Sequence, residues 1–354
     1  MLALIGISLL MGACTWQIEP VTEVPTCQIV YDAGSSRTRL YVYELSESGW
    51  LEHRGPRTDA LADPVRAIRG KTMSDAAQVV DNIVAALEDM RSDGPTDANG
   101  KPQWLAFDWR ERCDIDAAAV YATAGMRLAE QHDAEASELL WKMLNEKLGA
   151  YLGMSVETRT LSGYEEGLFA WLGIREVSDN GSFGLAEMGG ASVQVTFPCP
   201  ACNATKQVKV KDQVIPIFSH SFLGLGQDEA WETFGPLPVC ERGVGLEKPD
   251  WKIDDCASHM PISSGAVAVL TQQNVKMTGL DWYLTGAFKY IHDTDIDQYC
   301  RKGIDSGYQQ ETSCFRAVYL DKVLDVLGVP PDAEPIDVDW TLGAVVCTIT
   351  QCLD

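Results

Sequence analysis

Two stretches of the chain share one pattern: a short apolar run, an acid, a turn rich in glycine and hydroxyls, then alternating β-prone residues. In the first, Gln28 to Tyr31 leads through Asp32-Ala33-Gly34-Ser35-Ser36-Arg37-Thr38-Arg39 into Leu40-Tyr41-Val42-Tyr43. In the second, Phe183 to Ala186 leads through Glu187-Met188-Gly189-Gly190-Ala191-Ser192 into Val193 to Phe197. Each predicts a hairpin with a carboxylate at its mouth. Between them the period changes. Ala76, Val79, Val80, Ile83, Val84 and Leu87 recur at helical spacing over Asp75 to Met90, with Ser74 as the expected cap. Residues 93–102 read as a surface loop, and Ala117 to Ala122 as a buried strand ending at Thr123-Ala124-Gly125-Met126-Arg127. A second helix is expected over Ala134 to Leu148, with Gly149 as its stop. After the second hairpin come polar insertions at 199–213 and 237–260, then helical patterning around Gln309 to Leu327. The apolar segment Trp340 to Thr350 predicts a closing helix that packs back on the first half. Strand, turn, helix and strand in this order indicate an α/β layering.

The turns carry the chemistry. Glycine permits close approach and positive φ, so that backbone N–H groups can point at one anion, and Ser35, Ser36, Thr38 and Ser192 add hydroxyl donors. Two such turns, each led by a carboxylate, point to a duplicated fold whose halves face each other across a phosphate, with Asp32 and Glu187 holding a hydrated divalent metal. Between the turns, Glu165 and Glu166 precede the apolar run Gly167 to Trp171. Water attacking a terminal phosphorus in line needs anion-cradling donors, a metal and a carboxylate to take the proton, and one of these acids fits the last role. Burial among other acids raises the pKa of such a base toward working pH. Placement at a helix start, where acids favour the dipole, accounts for Glu165 equally well.

A chain of 354 residues, 46% hydrophobic, suffices for two lobes and a cleft. Its net charge of −23 excludes a nucleic-acid binder and docking to anionic lipid through a basic patch. An anionic substrate therefore needs local cations such as Arg37, Arg39 and Arg127. Met1 to Ala13 is apolar and uncharged, too short for a spanning helix and suited to the core of a signal peptide. Met11-Gly12-Ala13-Cys14 resembles a bacterial lipoprotein cleavage box, with two departures: Met11 stands where Leu is usual, and no Lys or Arg precedes the apolar run. An ordinary cleaved signal with an incidental Cys14 is the alternative. Ten further cysteines, an even number in an exported chain, read as disulfides. Sequence leaves the connectivity open; proximity favours Cys240 with Cys256, Cys300 with Cys314 and Cys347 with Cys352, leaving Cys27 for Cys113. Cys199-Pro-Ala-Cys202 lacks a second ligand pair and reads as a hairpin-tip disulfide rather than a zinc or redox site. The five histidines show no i, i+4 spacing, which argues against a histidine-ligated catalytic zinc.

Taken together, five separated patches between Ile29 and Val346 resemble, in order, the nucleoside triphosphate diphosphohydrolases, or apyrases, of the actin-like superfamily. They are Asp32 to Leu40, Ala122 to Leu128, Gly163 to Trp171, Leu185 to Gln194, and Asp339-Trp340-Thr341-Leu342-Gly343. His220 to Gly226 resembles a further family segment. The resemblance implies two actin-like, ribonuclease H-like lobes, each a mixed sheet flanked by helices, with the active site in the cleft. It implies a leader and linker over 1–26, a first lobe over 27–163 plus 335–354, and a second over 164–334. Hydrolysis of the terminal phosphates of nucleoside tri- and diphosphates is the implied activity, with Mg2+ or Ca2+ as cofactor and ATP, ADP and other nucleotides as substrates. Residue by residue, Gly34, Ser35, Ser36 and Arg37 hold the transferring phosphate from one lobe, and Gly189, Gly190, Ala191 and Ser192 from the other. Glu166 is the general base, Ser192 and Gln194 place the water, and Thr123 assists at the phosphate and the metal's water. Asp32 and Glu187 bind the metal through its water shell. Arg127 is a structural or phosphate-side contact, and Tyr319 the aromatic on which the base stacks, or else an ordinary core tyrosine. The family usually has Asp at the position of Glu187; one extra methylene moves the carboxylate by about 1.5 Å, which a water-mediated contact absorbs. The implied protein is an exported monomer: periplasmic, secreted, or a cell-surface lipoprotein anchored at Cys14. An exopolyphosphatase or guanosine pentaphosphate phosphatase shares the two loops and is the nearest enzymatic alternative. A non-catalytic extracytoplasmic nucleotide-binding protein is the alternative from another class.

Overall fold

The structure is a computed structural model that describes residues 24–67, 73–97, 99–178, 181–235, 237–241, 247–260, 262, 268–272, 279–291, 294–302 and 312–353. The apolar leader and Cys14 lie outside these residues. Strands are β1 (Thr26–Ala33), β2 (Thr38–Ser46), β3 (Gly49–Thr58), β4 (Asp114–Ala122), β5 (Glu157–Thr160), β6 (Phe183–Met188), β7 (Ser192–Pro198), β8 (Thr205–Val210), β9 (Gln213–Leu223), β10 (Asp281–Gly286) and β11 (Glu334–Pro335). Helices are α1 (Ala76–Asp89), α2 (Trp109–Arg112), α3 (Ala124–His132), α4 (Ala134–Leu152), α5 (Gly163–Val177), α6 (Gln227–Phe234), α7 (Ile253–Ser258), α8 (Ala268–Gln272), α9 (Ile296–Arg301), α10 (Ser313–Leu327) and α11 (Trp340–Thr350).

The strands form two sheets built on one plan. In the first, ordered β3-β2-β1-β4-β5, β1 pairs antiparallel with β2 and parallel with β4. In the second, ordered β11-β10-β6-β7-β9-β8, β6 pairs antiparallel with β7 and parallel with β10. The central strands β1 and β6 are nearly continuous apolar runs because both faces of each are covered. The duplication expected from the two turns is therefore present in the topology.

Three apolar clusters give the layering. One packs α1, α3 and α4 on the outer face of the first sheet. Another packs α6 and α10 with the neighbouring segments on the second. The third lies between the sheets and is filled by α5 and α11, with Phe169, Trp171, Trp340 and Val345 meeting Val30 and Tyr43 on one side and Phe183 and Leu185 on the other. The two halves exchange these helices: α5 packs on β6, β7 and β9, and α11 on β1 and β2. Their crossing is tight because small residues face each other, and a Cβ on Gly343 would overlap the carbonyl oxygen of Phe169.

Local boundaries differ from expectation in two places. Asp75, not Ser74, caps α1, its side chain accepting from the Gln78 N–H at 2.9 Å. Helix α4 runs through Gly149 and stops at Gly153, which takes the left-handed conformation at φ +71°. The disulfides form as expected: Cys240–Cys256, Cys300–Cys314 and Cys347–Cys352 by proximity, Cys199–Cys202 within its hairpin tip, and Cys27–Cys113 as the remaining pair. Among the described residues no helix is long and apolar enough to cross a membrane.

Because the α5–α11 crossing has no room for a methyl group, Gly343→Ala should destabilise the protein by roughly 3 kcal/mol or prevent folding. Thermal melting of the variant against wild type measures this, and an unchanged melting temperature would refute the packing described.

Candidate active site

The first loop hangs on β1 and β2, whose register pairs Ala33 with Thr38 across the turn. The Asp32 carboxylate at the end of β1 accepts from Arg39 Nη1 at 2.6 Å. Ser35 is buried against α3: a Cβ on Gly125 would lie 2.6 Å from Ser35 Cα, so only glycine fits there. Thr123 follows β4, its N–H bonded to the Ala33 carbonyl at 3.3 Å. This brings its buried side chain beside the first loop.

The second loop is tied back by α6. The N–H groups of Asp228 and Glu229 both donate to the Gly190 carbonyl, at 2.8 and 3.0 Å, and that of Gln227 donates to Gly189 at 3.1 Å. With the carbonyls held there, the N–H groups of Gly190 and Ala191, like those of Gly34 and Ser35, have no backbone acceptor among the described residues. The two loops meet face to face, since a Cβ on Gly190 would collide with both Ser35 Oγ and the Asp228 carboxylate. Neither Gly34, Gly189 nor Gly190 has positive φ; close approach explains glycine at position 190 and in part at 34, and nothing in the structure explains it at 189.

Glu166 projects from the first turn of α5 into this junction. Arg127 Nη2 donates to Glu166 Oε2 at 2.7 Å, and also reaches Ser192 Oγ at 3.3 Å and Ser221 Oγ at 3.2 Å. Gln194 Nε2 donates to Ser192 Oγ at 2.6 Å and Ser221 Oγ at 2.9 Å. Burial raises the Glu166 pKa above the usual carboxylate value, against the opposing pull of Arg127 and of hydrogen bonds from Gln194 and Ser192. Helix capping separates the paired acids: Glu165 closes a capping box with Ser162 and binds Arg159 at 2.8 Å. Only Glu166 is left for the cleft.

The floor of the cleft is acidic. Desolvation pushes Asp32 up to about 7, with Arg39 opposing and Asp339 and Glu166 adding to the rise. Glu187 is raised well above its ordinary value by burial and by Glu166, Asp339 and Asp32. Its Oε2 is enclosed without a hydrogen-bond partner among the described residues, and so is Oγ1 of Thr285, its neighbour on β10. Among the described residues no three of His, Cys, Asp and Glu gather as a direct chelating set. Mutually repelling carboxylates with an unpaired buried oxygen fit a hydrated divalent cation held through its water shell.

Most residues expected from sequence thus converge. Of the three arginines expected to face an anion, Arg39 and Arg127 are committed to Asp32 and Glu166, while Arg37 is exposed and makes no ion pair among the described residues. Tyr319 stands apart: it is wholly buried under the second sheet, stacked 5.9 Å from Phe315 and bonded through its hydroxyl to the Leu225 carbonyl. That is the core tyrosine of the alternative reading, with no ring face open to a base. Two residues were missed as site members. Asp339, bonded to the Tyr41 hydroxyl, joins the acidic floor; it begins the fifth patch. Ser221, in the segment His220 to Gly226, completes the Arg127–Gln194 network.

Two mixed sheets on one plan, with glycine loops facing each other over buried acids, define an actin-like fold with a phosphate-type cleft. The chain belongs to the GDA1/CD39 (nucleoside phosphatase) family, whose model matches residues 22–314. Human ectonucleoside triphosphate diphosphohydrolase 2 is 28% identical over 282 residues, covering 70% of this chain and 53% of that protein. Nucleoside-triphosphatase ntp-1 of Caenorhabditis elegans is 25% identical, covering 84% of this chain and 66% of that one. The chain spans about half the length of the mammalian relatives it matches. Among solved structures, the Aquifex aeolicus PPX-GPPA enzyme superposes with a TM-score of 0.54 at 14% identity, over 91% of this chain and 99% of that one. Nucleoside triphosphate hydrolases from Neospora caninum give 0.52 at 14% identity, over 91% and 92%.

The burial of Asp32 makes stability depend on pH. Between about pH 4 and about pH 7 the folded protein keeps a proton at Asp32 that the unfolded chain has released, so metal-free stability falls as pH rises through this window. Denaturant titrations in chelator should show Asp32→Asn losing roughly 3–4 kcal/mol of this pH dependence. Parallel pH profiles for the two proteins would contradict the assignment.

Proposed function

We propose that the protein hydrolyses terminal phosphates of nucleoside tri- and diphosphates by direct attack of water. The observation that carries this reading is Glu166, buried and hydrogen-bonded to Arg127 between two facing loops, beside Ser192 and Gln194. The backbone N–H groups of Gly34, Ser35, Gly190 and Ala191, which have no backbone acceptor among the described residues, with the hydroxyls of Ser35 and Ser36, would grip the terminal phosphate from both sides, and Arg37 would approach it from the rim. Ser192 and Gln194 would orient a water on the far side of phosphorus from the leaving group. Glu166 would take its proton as the oxygen–phosphorus bond forms and the bond to the leaving phosphate breaks. The elevated pKa of Glu166 would make it a stronger base than an exposed carboxylate, while Arg127 favours its charged form and orients it. Asp32 and Glu187, with Asp339 nearby and Thr123 beside the first loop, would hold hydrated Mg2+ or Ca2+, whose charge offsets that of the phosphate oxygens.

Lobes of 27–163 with 335–354 and of 164–334 would open and close over the substrate as a monomer. Five disulfides and the names of the ectonucleoside relatives support an exported protein; anchoring through Cys14 belongs to the same proposal. A phosphatase of inorganic polyphosphate is a second reading, favoured by the withdrawal of Tyr319 from the cleft and by the fold shared with the PPX-GPPA enzyme.

Phosphate release from ATP, ADP, AMP and polyphosphate with Mg2+, Ca2+ or EDTA separates these readings. Release from ATP and ADP but little from AMP, abolished by EDTA and lowered about 10²- to 10⁴-fold in Glu166→Gln, is expected. Turnover of polyphosphate alone would favour the second reading, and nucleotide binding without turnover would exclude both.

A further inference from the structure

One ion pair joins the halves beside the second loop and has no part in the chemistry above. Arg66 donates through Nη1 and Nη2 to the two carboxylate oxygens of Glu229, at 2.6 and 2.8 Å. The partners stand 163 residues apart in sequence. Arg66 closes a turn rooted in the first half: its N–H bonds to the Ala62 carbonyl at 2.8 Å, and Leu61, Ala62 and Val65 are buried in the core outside the first sheet. Glu229 sits in the first turn of α6, which is fixed to the second half by the buried pair between Arg316 and Asp228 at 2.8 Å. Each charge is therefore tied by backbone or side-chain bonds to the core of its own half.

The same residue touches the loop. The Glu229 N–H bonds the Gly190 carbonyl while its side chain crosses to Arg66. Glu229 is 7% exposed and Arg66 28%, so the pair is more shielded from water than a surface bridge, and its two parallel bonds fix direction as well as distance. Glu232, one turn further along α6, adds to the negative field around Arg66.

We propose that Arg66 and Glu229 form a latch across the cleft, a positioning pair that holds the second loop over the first in the arrangement that grips the substrate. Its kinetic arm rests on the nucleotide-hydrolysing reading; its structural arm needs no substrate. In hydrogen exchange without nucleotide, Arg66→Ala and Glu229→Gln should each speed exchange in residues 226–234, and the charge-swapped Arg66→Glu/Glu229→Arg protein should return toward wild type. In turnover, each single variant should raise KM for ATP about tenfold at low salt while kcat changes by less than about twofold, and the swap should recover most of the loss. Arg66→Lys, which keeps the charge but loses the paired geometry, should fall between. Exchange at 226–234 unchanged in both single variants, or a swap as impaired as the two losses combined, would overturn the latch. A wild type that turns over no nucleotide would defeat the functional reading and leave the exchange experiment to decide the latch.

Discussion

Four carboxylates, Asp32, Glu166, Glu187 and Asp339, act on one another in a cleft floor shielded from water, and two of them are offset by arginines. Like charges held this way cannot all ionise without a counter-charge. The fold spends much of its packing on keeping them there. The α5–α11 layer brings Glu166 from one half and Asp339 from the other, and the central strands β1 and β6 deliver Asp32 and Glu187. A divalent cation held there would relieve the repulsion, which would link occupancy of the cleft to stability of the floor.

The arginines divide the acids by role. Arg39 holds Asp32 in place at the first loop, whereas Arg127 ties Glu166 to Ser192 and Ser221 and so to the hydroxyl and amide groups suited to orient a water. Glu187 has no arginine partner among the described residues and keeps an enclosed oxygen that none of them hydrogen-bonds. The floor thus separates Glu166, held by Arg127, from Glu187, whose enclosed oxygen has no hydrogen-bond partner among the described residues.

The loops and the acid pair Glu165–Glu166 were legible in the sequence because their pattern is local: glycine, hydroxyls and acids within a few residues of a strand or a helix start. What needed the fold was any choice between neighbours or any partnership across the chain. Glu165 and Glu166 look alike until the capping box claims the first. Glycine at position 190 suggested positive φ, yet the real demand is space for Ser35 from the opposite loop. Tyr319 was a base platform only by the family resemblance and a core residue by its helical setting, and its burial places it in the core. Asp339 meets Tyr41, and Arg66 meets Glu229, over separations of 298 and 163 residues, which no local pattern encodes.

The central claim is that a water activated by Glu166 attacks phosphorus directly, with no covalent phosphoenzyme. The stereochemical course at the transferred phosphorus, followed with an isotopically chiral γ-phosphorothioate nucleotide in labelled water, tests this most directly. A single in-line displacement predicts inversion. Retention would require two displacements and a nucleophile on the protein, and would contradict the account.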